Sequence, residues 1–247
     1  MRRHDLLREL HELLAPRTYF EIGVNTGESI TLSRCPSVAV DPFYKVTAEV
    51  RCDLHLVRAT SDEFFARARP FAHFETPVID LAFIDGMHLA EFALRDVINT
   101  ERYTHAASVI VIDDMLPRNV LEANRNRESV AWAGDVYKMI DSFRSLRPDL
   151  VCLEVDTEPT GTVVLLLPDP RSTTLLQAYD ELLPDYVVPD PQDVPAEVLG
   201  RTRAVRPEDL LGTPIWSELR RLRGRPDDEA RPLVSSLLAA NGLSAAS

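Results

Sequence analysis

Acidic residues follow two apolar segments of this sequence at positions that suit a metal site. Residues 78–84 are mostly apolar and lead into Asp85, and residues 108–112 lead into Asp113 and Asp114. Short apolar segments bounded by polar residues predict buried parallel strands. Because ligands bind at the carboxyl ends of such strands in an open α/β sheet, we expect the three aspartates to converge in one cleft. Their carboxylate oxygens would suit Mg²⁺ or a similar cation.

A histidine lies three residues after the first of these aspartates. An unperturbed imidazole titrates near neutral pH, so His88 could accept a proton from a group held by the cation. The alternatives are a histidine at the cleft edge bonded to backbone, and aspartates that cap helices or lie in solvated loops. We favour the metal site, because adjacent acids at the end of a buried strand are costly without a cation.

A turn with glycines at positions 23 and 27 follows the first apolar segment, which ends at Ile22. The glycines let the backbone approach a ligand, and a helix predicted over 27–34 would present its first amides to an anion. The glycine spacing differs from the dinucleotide motif and disfavours an NAD-dependent oxidoreductase. Asp41 ends the second predicted strand, where nucleotide-binding folds place the acid that holds ribose hydroxyls. An ordinary tight turn and a turn aspartate are the alternatives, but together the features favour an adenosine-type ligand.

These residues need a sheet with helices between its strands to position them. The predicted strands cover 19–23, 37–41, 54–58, 78–84, 108–112, 150–155 and 162–167. The predicted helices cover 4–15, 27–34, 63–69, 89–103 and 129–146, with Ser61 or Asp62 as the cap of the third and a loop over 115–128 that could close over the cleft. This alternation predicts an α/β fold: a Rossmann-like, doubly wound, seven-stranded sheet, mostly parallel, with one antiparallel strand from the closing hairpin.

The sequence changes character after Pro168, because prolines recur through the last 79 positions. We predict a domain over 1–168 and a Pro-rich C-terminal extension over 169–247, with short helices near 173–183, 207–211 and 232–240. The extension would wrap the core or form an oligomer contact, so a homo-oligomer is expected.

Composition narrows the class of partner. The net charge of −12 disfavours nucleic acid and anionic membrane surfaces. No apolar segment approaches the ~20 residues of a membrane span. The three cysteines are widely spaced and indicate reduced thiols in a cytoplasmic protein. A small-molecule ligand is therefore expected.

Three segments, 19–29, 40–41 and 83–88, resemble motifs of class I S-adenosylmethionine-dependent methyltransferases. The 28-residue spacing from Asp85 to Asp113, with a second acid following, is similar to the catechol O-methyltransferase metal site. That family has a lysine base where this chain has His88. The pattern is more similar to metal-dependent sugar O-methyltransferases of macrolide biosynthesis, such as the mycinamicin enzyme. The resemblance covers about residues 15–168.

The resemblance implies S-adenosylmethionine as cofactor and Mg²⁺ or a similar divalent cation as metal. It implies a cofactor site formed by Glu21, Gly23, Asn25, Gly27, Ser29, Asp41, Ser61, Asp62 and Asp85. Within that site Asp41 would bind the ribose, and Ser61 and Asp62 would contact the adenine. The implied metal ligands are Asp85, Asp113 and Asp114, with His88 as the base.

We therefore expect a metal-dependent O-methyltransferase of antibiotic biosynthesis that acts on a hydroxyl of a small natural product, with a sugar or glycoside favoured. Two alternatives stay open. One is a methyltransferase of the same fold that uses no metal, with Asp113 and Asp114 contacting the substrate. The other is a non-catalytic cofactor-binding protein within a biosynthetic assembly. A cluster around Trp132 would either pack a helix into the core or form a wall of the acceptor pocket.

Overall fold

The computed structural model describes residues 1–243, and its strands follow the predicted order along the chain. They are β1 (Tyr19–Ile22), β2 (Ser37–Val40), β3 (Leu54–Val57), β4 (Leu81–Ile84), β5 (Val109–Ile112), β6 (Val151–Val155) and β7 (Thr162–Leu166). They form one seven-stranded sheet in the order β3-β2-β1-β4-β5-β7-β6. Strands β1 to β5 pair in parallel, and β7 runs antiparallel to both β5 and β6. The predicted Rossmann-like sheet with one antiparallel strand is confirmed.

The three central strands end at the same level. Ile22, Ile84 and Ile112 are partners across β1, β4 and β5. The backbone ladder continues one residue further, since the amide of Asp85 donates to the carbonyl of Ile22 and the amide of Asp113 donates to that of Ile84. The residues that follow the strands therefore begin side by side at one edge of the sheet.

Helices cover both faces of the sheet. They are α1 (Arg3–Leu14), α2 (Ser61–Phe65), α3 (Ala90–Glu101), α4 (Met139–Leu146), α5 (Thr174–Tyr186), α6 (Ala196–Leu199), α7 (Pro207–Leu211), α8 (Ile215–Leu222) and α9 (Asp227–Ala240). Alternate strand residues point to opposite faces, so Phe20 belongs to one buried cluster with α2 to α6. Its neighbour Tyr19 belongs to the other cluster, with α1 and α7 to α9. No helix within residues 1–243 is long and apolar enough to cross a membrane.

The C-terminal part of the chain contributes to this core. Helix α8 packs against α1 and α9, and its Trp216 is almost fully buried, with the indole N–H donating to the carbonyl of Leu210. The periodicity of α8 was not recognised from the sequence. Prolines lie at the starts of helices α6 to α9, where the missing N–H costs no hydrogen bond within the helix. The division of the chain at residue 168 stays a prediction.

Two predicted helices are shorter than expected. The helix predicted over 27–34 is only a 3-10 turn, Ile30–Leu32. Hydroxyl and β-branched residues in this segment are weak helix formers, and Ser29 is bonded to another side chain. The helix predicted over 129–146 begins at Met139, after a 3-10 turn at Val136–Lys138.

The predicted cap of α2 is also wrong by one or two residues. Thr60, rather than Ser61 or Asp62, occupies the position before the helix. Its hydroxyl accepts from the amide of Glu63 at 3.2 Å, and the Glu63 carboxylate accepts from the amide of Thr60 at 2.9 Å. This is a capping box, which satisfies two free amides reciprocally.

A buried ion pair joins α3 to α4, and it generates a prediction about stability. Arg147 donates to both carboxylate oxygens of Glu101, at 2.7 and 2.8 Å, and its side chain is 1% exposed. Because Arg147→Ala leaves the Glu101 carboxylate buried without its partner, we expect a loss of about 3–5 kcal/mol in the free energy of unfolding, measured with urea. Arg171→Ala removes an exposed pair with Asp169 and should cost less than about 1 kcal/mol. Equal losses in the two variants would contradict this assignment.

Candidate functional site

Two carboxylates and an imidazole meet beyond the ends of β4 and β5. The Nε2 atom of His88 lies 3.2 Å from Oδ1 of Asp85, and its Nδ1 lies 3.0 Å from Oδ2 of Asp114. One potential ligand atom from each residue falls within 4.8 Å of the others. Thr160 donates its hydroxyl to Asp114 and fixes that carboxylate from the far side. The expected convergence of Asp85 and Asp114 is present, with His88 inside the cluster.

The imidazole of His88 is held on two further sides. Its ring stacks on Trp132 with a centroid distance of 5.1 Å and an interplanar angle of 4°. Its Nδ1 lies 3.0 Å from the Trp132 carbonyl. Burial lowers the pKa of His88, but the bond to Asp85 and the charge of Asp114 outweigh it and raise the pKa to about 9. As the structure stands, His88 is therefore a cation at neutral pH.

The backbone is strained where it delivers these side chains. His88 and Asp114 have φ values of +56° and +61°, in the left-handed region that non-glycine residues rarely adopt. Gly134 lies against His88, and a Cβ on it would meet the His88 carbonyl oxygen at 1.7 Å. Such strain persists only where surrounding contacts over-determine it.

Asp113 lies apart from this cluster. Its carboxylate is 1% exposed, and Oδ2 lies 2.8 Å from Nε of Arg3 at the start of α1. Within residues 1–243, neither of its oxygens accepts a hydrogen bond and Arg3 Nε donates none. Burial, together with the charges of Asp114 and Asp85, raises the pKa of Asp113 well above its usual range. A small cavity of about 10 Å³, the space for one water-sized guest, is lined by Asp85, His88 and Asp113.

The glycine turn after β1 packs directly on the loop that carries Asp85. Gly23 has φ +87°, and a Cβ there would meet the Asp85 carbonyl oxygen at 1.8 Å. Gly27 (φ +89°) and Asn25 (φ +46°) are also left-handed. Only glycine fits at position 23, because both the φ angle and the close approach exclude a side chain. The turn and the acidic cluster are thus one continuous surface.

Asp41 fastens this turn to the end of β2. Its Oδ2 accepts from the amides of Val24 and Asn25 at 2.9 and 2.8 Å, and its Oδ1 accepts from the amide of Phe43 at 2.6 Å. The carboxylate therefore shapes the predicted cofactor turn, as the turn-aspartate alternative requires. Oδ1 keeps a further lone pair, and binding of ribose hydroxyls stays a prediction.

Glu21 and Ser29 lie beneath the turn rather than on its surface. The Glu21 carboxylate is fully buried and accepts from the Tyr19 hydroxyl at 2.6 Å and the Ser29 hydroxyl at 2.7 Å. Burial raises the pKa of Glu21 to about 8, despite these two bonds. Both residues support the turn from below.

Ser61 and Asp62 lie at the first turn of α2, beyond β3. Asp62 is paired with Arg95 at 2.6 Å, and Ser61 bonds to the buried carboxylate of Asp96, which lowers its pKa. Burial nevertheless raises the pKa of Asp96 to about 7. The Asp96 carboxylate lies close to Gly86, since a Cβ added to Gly86 would be 3.1 Å from Asp96 Oδ2. Asp96 therefore connects Ser61 to the loop after β4. The contact of Ser61 and Asp62 with adenine stays a prediction.

Arg3, Thr160 and Gly134 were missed by sequence reasoning. Each comes from a segment distant along the chain, and neither an isolated arginine near the start nor a threonine in a turn carries a local signal. The glycine was visible only as part of the segment that contains Trp132, whose face proves to lie on His88.

The buried acid under the turn generates a prediction about pH. Between about pH 4.5 and 8, folded Glu21 keeps a proton that the unfolded chain has lost, so stability falls as pH rises through this range. In Glu21→Gln the fall should be shallower by roughly 2–4 kcal/mol, as measured by urea unfolding at pH 5, 6.5 and 8. Glu12→Gln, at an exposed position of α1, should keep the original slope. Parallel curves for Glu21→Gln and the unmodified chain would show that Glu21 ionises normally.

Comparison with known proteins gives a family match for one part of the chain. Residues 20–115 match a family model described as a methyltransferase domain, and none of the curated proteins compared with the chain matches it. One similar solved structure is the S-adenosylhomocysteine-bound methyltransferase PaMTH1 of Podospora anserina, with 13% identity, coverage of 68% of this chain and 78% of that chain, and a TM-score of 0.47. Another is an O-methyltransferase of Bacillus cereus with S-adenosylhomocysteine, with 13% identity, coverage of 66% of this chain and 80% of that chain, and a TM-score of 0.44. A third is the O-methyltransferase TomG of Streptomyces achromogenes, involved in tomaymycin synthesis, in complex with S-adenosylmethionine. It has 18% identity, coverage of 67% of this chain and 79% of that chain, and a TM-score of 0.43. The matched segment holds the glycine turn, His88 and all three aspartates.

Proposed function

We propose that the chain is an S-adenosylmethionine-dependent O-methyltransferase that uses a divalent cation and methylates a hydroxyl of a small natural product, with a sugar or glycoside as the favoured acceptor. The observation that carries this proposal is the meeting of Asp85, His88 and Asp114 beside the glycine turn, inside the methyltransferase domain.

Contact between the two halves of the site supports methyl transfer. The turn after β1, with its left-handed backbone at Gly23 and Asn25, would hold the cofactor. Because Gly23 abuts the Asp85 backbone, a ligand on this turn lies next to the acidic cluster. Methyl transfer requires this proximity, since the hydroxyl oxygen must be aligned with the sulfonium methyl before the C–O bond can form and the C–S bond can break.

The donor set fits a divalent cation. The carboxylates of Asp85 and Asp114 offer oxygens, and the buried oxygens of Asp113 accept no hydrogen bond, which is costly unless a cation compensates them. Burial acts to raise the pKa of Asp85, yet the bond to His88 and the charge of Arg3 hold it below the ordinary value, so this group is an anion ready to ligate. A bound Mg²⁺ would offset the charge of the carboxylates and lower the pKa of an acceptor hydroxyl.

His88 is placed to receive the proton of that hydroxyl. In the neutral imidazole, Nδ1–H donates to the Trp132 carbonyl, so Nε2 is the accepting atom. Nε2 faces Asp85 and the small cavity. Because the carboxylates now raise the pKa of His88 to about 9, the base role requires that their charge be offset first. Stacking on Trp132 keeps the ring oriented while the proton moves.

Binding of the cofactor product tests the first half of the proposal. Titration calorimetry with S-adenosylhomocysteine should give a measurable heat, and Asp41→Ala should weaken the affinity about 10- to 100-fold, which is roughly 1.4–2.8 kcal/mol, because the turn loses two amide anchors. Asp53→Ala, which alters an exposed acid before β3, should bind as the unmodified chain does. No heat with the unmodified chain would sink the proposal.

Turnover tests the second half. With a panel of sugars, glycosides and catechols, methyl transfer should stop in EDTA and return with Mg²⁺, and His88→Ala should lower kcat by roughly 10²- to 10⁴-fold. Turnover that EDTA leaves unchanged would support the metal-independent methyltransferase instead. Binding of S-adenosylhomocysteine without turnover on any acceptor would favour the non-catalytic cofactor-binding protein.

A further inference from the structure

We propose that Arg3 is a positioning residue that acts as an internal cation: its guanidinium balances Asp113 in the cation-free protein and opposes the divalent ion at the same site. This inference rests on the cation site proposed above. It adds a residue from the first turn of α1, which lies outside the segment that matches the methyltransferase domain.

The backbone of the chain start is fixed close to the site. The amide of Glu158 donates to the carbonyl of Met1 at 2.9 Å, and the amide of Arg3 donates to the carbonyl of Glu158 at 3.3 Å. Glu158 lies between β6 and β7, in the turn that also supplies Thr160 to Asp114. The same turn therefore positions both Arg3 and a carboxylate of the cluster.

The contact between the side chains is close but not directional. Arg3 Nε lies 2.8 Å from Asp113 Oδ2, yet neither atom makes a hydrogen bond of acceptable angle. The pair of Arg147 and Glu101 is different, because two aligned bonds join its members. Arg3 is also 29% exposed at its side chain while Asp113 is 1% exposed, so the guanidinium can leave toward solvent and the carboxylate cannot. The Arg3 guanidinium therefore lies beside Asp113 as an ion pair without an aligned hydrogen bond.

A divalent ion changes the balance at this point. Burial acts to lower the pKa of Arg3, but the charges of Asp113, Asp85 and Asp114 outweigh it and raise the pKa. An ion bound among the same carboxylates would meet two positive groups, Arg3 and His88. A guanidinium and a divalent ion a few ångströms apart repel each other even at a high effective dielectric constant. Removal of the Arg3 charge should therefore strengthen ion binding.

Calorimetric titration with MgCl₂ on the full chain tests this inference. Arg3→Gln should bind Mg²⁺ about tenfold tighter than the unmodified chain, or roughly 1.4 kcal/mol, because a positive charge has gone. Arg3→Lys keeps the charge and should bind within about twofold of the unmodified chain. Arg8→Gln removes an exposed arginine of the same helix, which is paired with Asp5, and should leave the Mg²⁺ affinity unchanged.

The outcomes separate this inference from the proposed function. Equal Mg²⁺ affinity in Arg3→Gln and the unmodified chain, or weaker affinity in Arg3→Gln, would overturn the role of Arg3 and leave the cation site intact. Absence of Mg²⁺ binding in every variant, with S-adenosylhomocysteine still bound, would overturn both. If Arg3→Gln does not fold, NMR of the unmodified chain decides: the Arg3 Nε–H signal, identified by its loss in Arg3→Lys, should shift on addition of Mg²⁺, and an unshifted signal counts against the inference.

Discussion

In-register pairing of β1, β4 and β5 is the constraint on which the site depends. Because Ile22, Ile84 and Ile112 are partners, the chain leaves all three strands at one level, and Gly23 can pack against the carbonyl of Asp85. A slip of one residue would turn every side chain of a strand to the opposite face. The apolar alternation between the two buried faces forbids that slip, so core packing sets the geometry of the site.

Repulsion among the carboxylates is the second constraint, and it explains the backbone strain at His88 and Asp114. Carboxylates gathered at a buried sheet edge repel one another, and the residues that offset them, His88 and Arg3, arrive from a left-handed backbone turn and from the chain start. Asp114 also needs a positive φ to reach His88. These conformations cost free energy of order 1–3 kcal/mol each. The contacts of Thr160 and Gly134 hold them in place.

Sequence reasoning succeeded where the signal was local. Strand ends, the glycine turn and the position of Asp85 depend on short apolar segments and could be predicted. It failed where partners lie far apart in the chain, as for Arg3 and Asp113. Asp113 and Asp114 have different surroundings because Asp113 continues the backbone ladder of β5, whereas Asp114 has a left-handed backbone conformation. The helix predicted over 27–34 failed because its hydroxyl residues bond locally instead of supporting a helix.

The C-terminal helices belong to the same physical argument. The connections after β1 and β2 carry only a 3-10 turn and irregular chain, so α7 to α9 help α1 to cover that face of the sheet. Arg223, at the end of α8, donates to the carbonyls of Leu14 and Ala15 at 2.9 and 2.7 Å, which are free because α1 ends there. Helix α1 carries Arg3 at its other end. Through α1, the C-terminal helices therefore help to fix the position from which a guanidinium reaches Asp113.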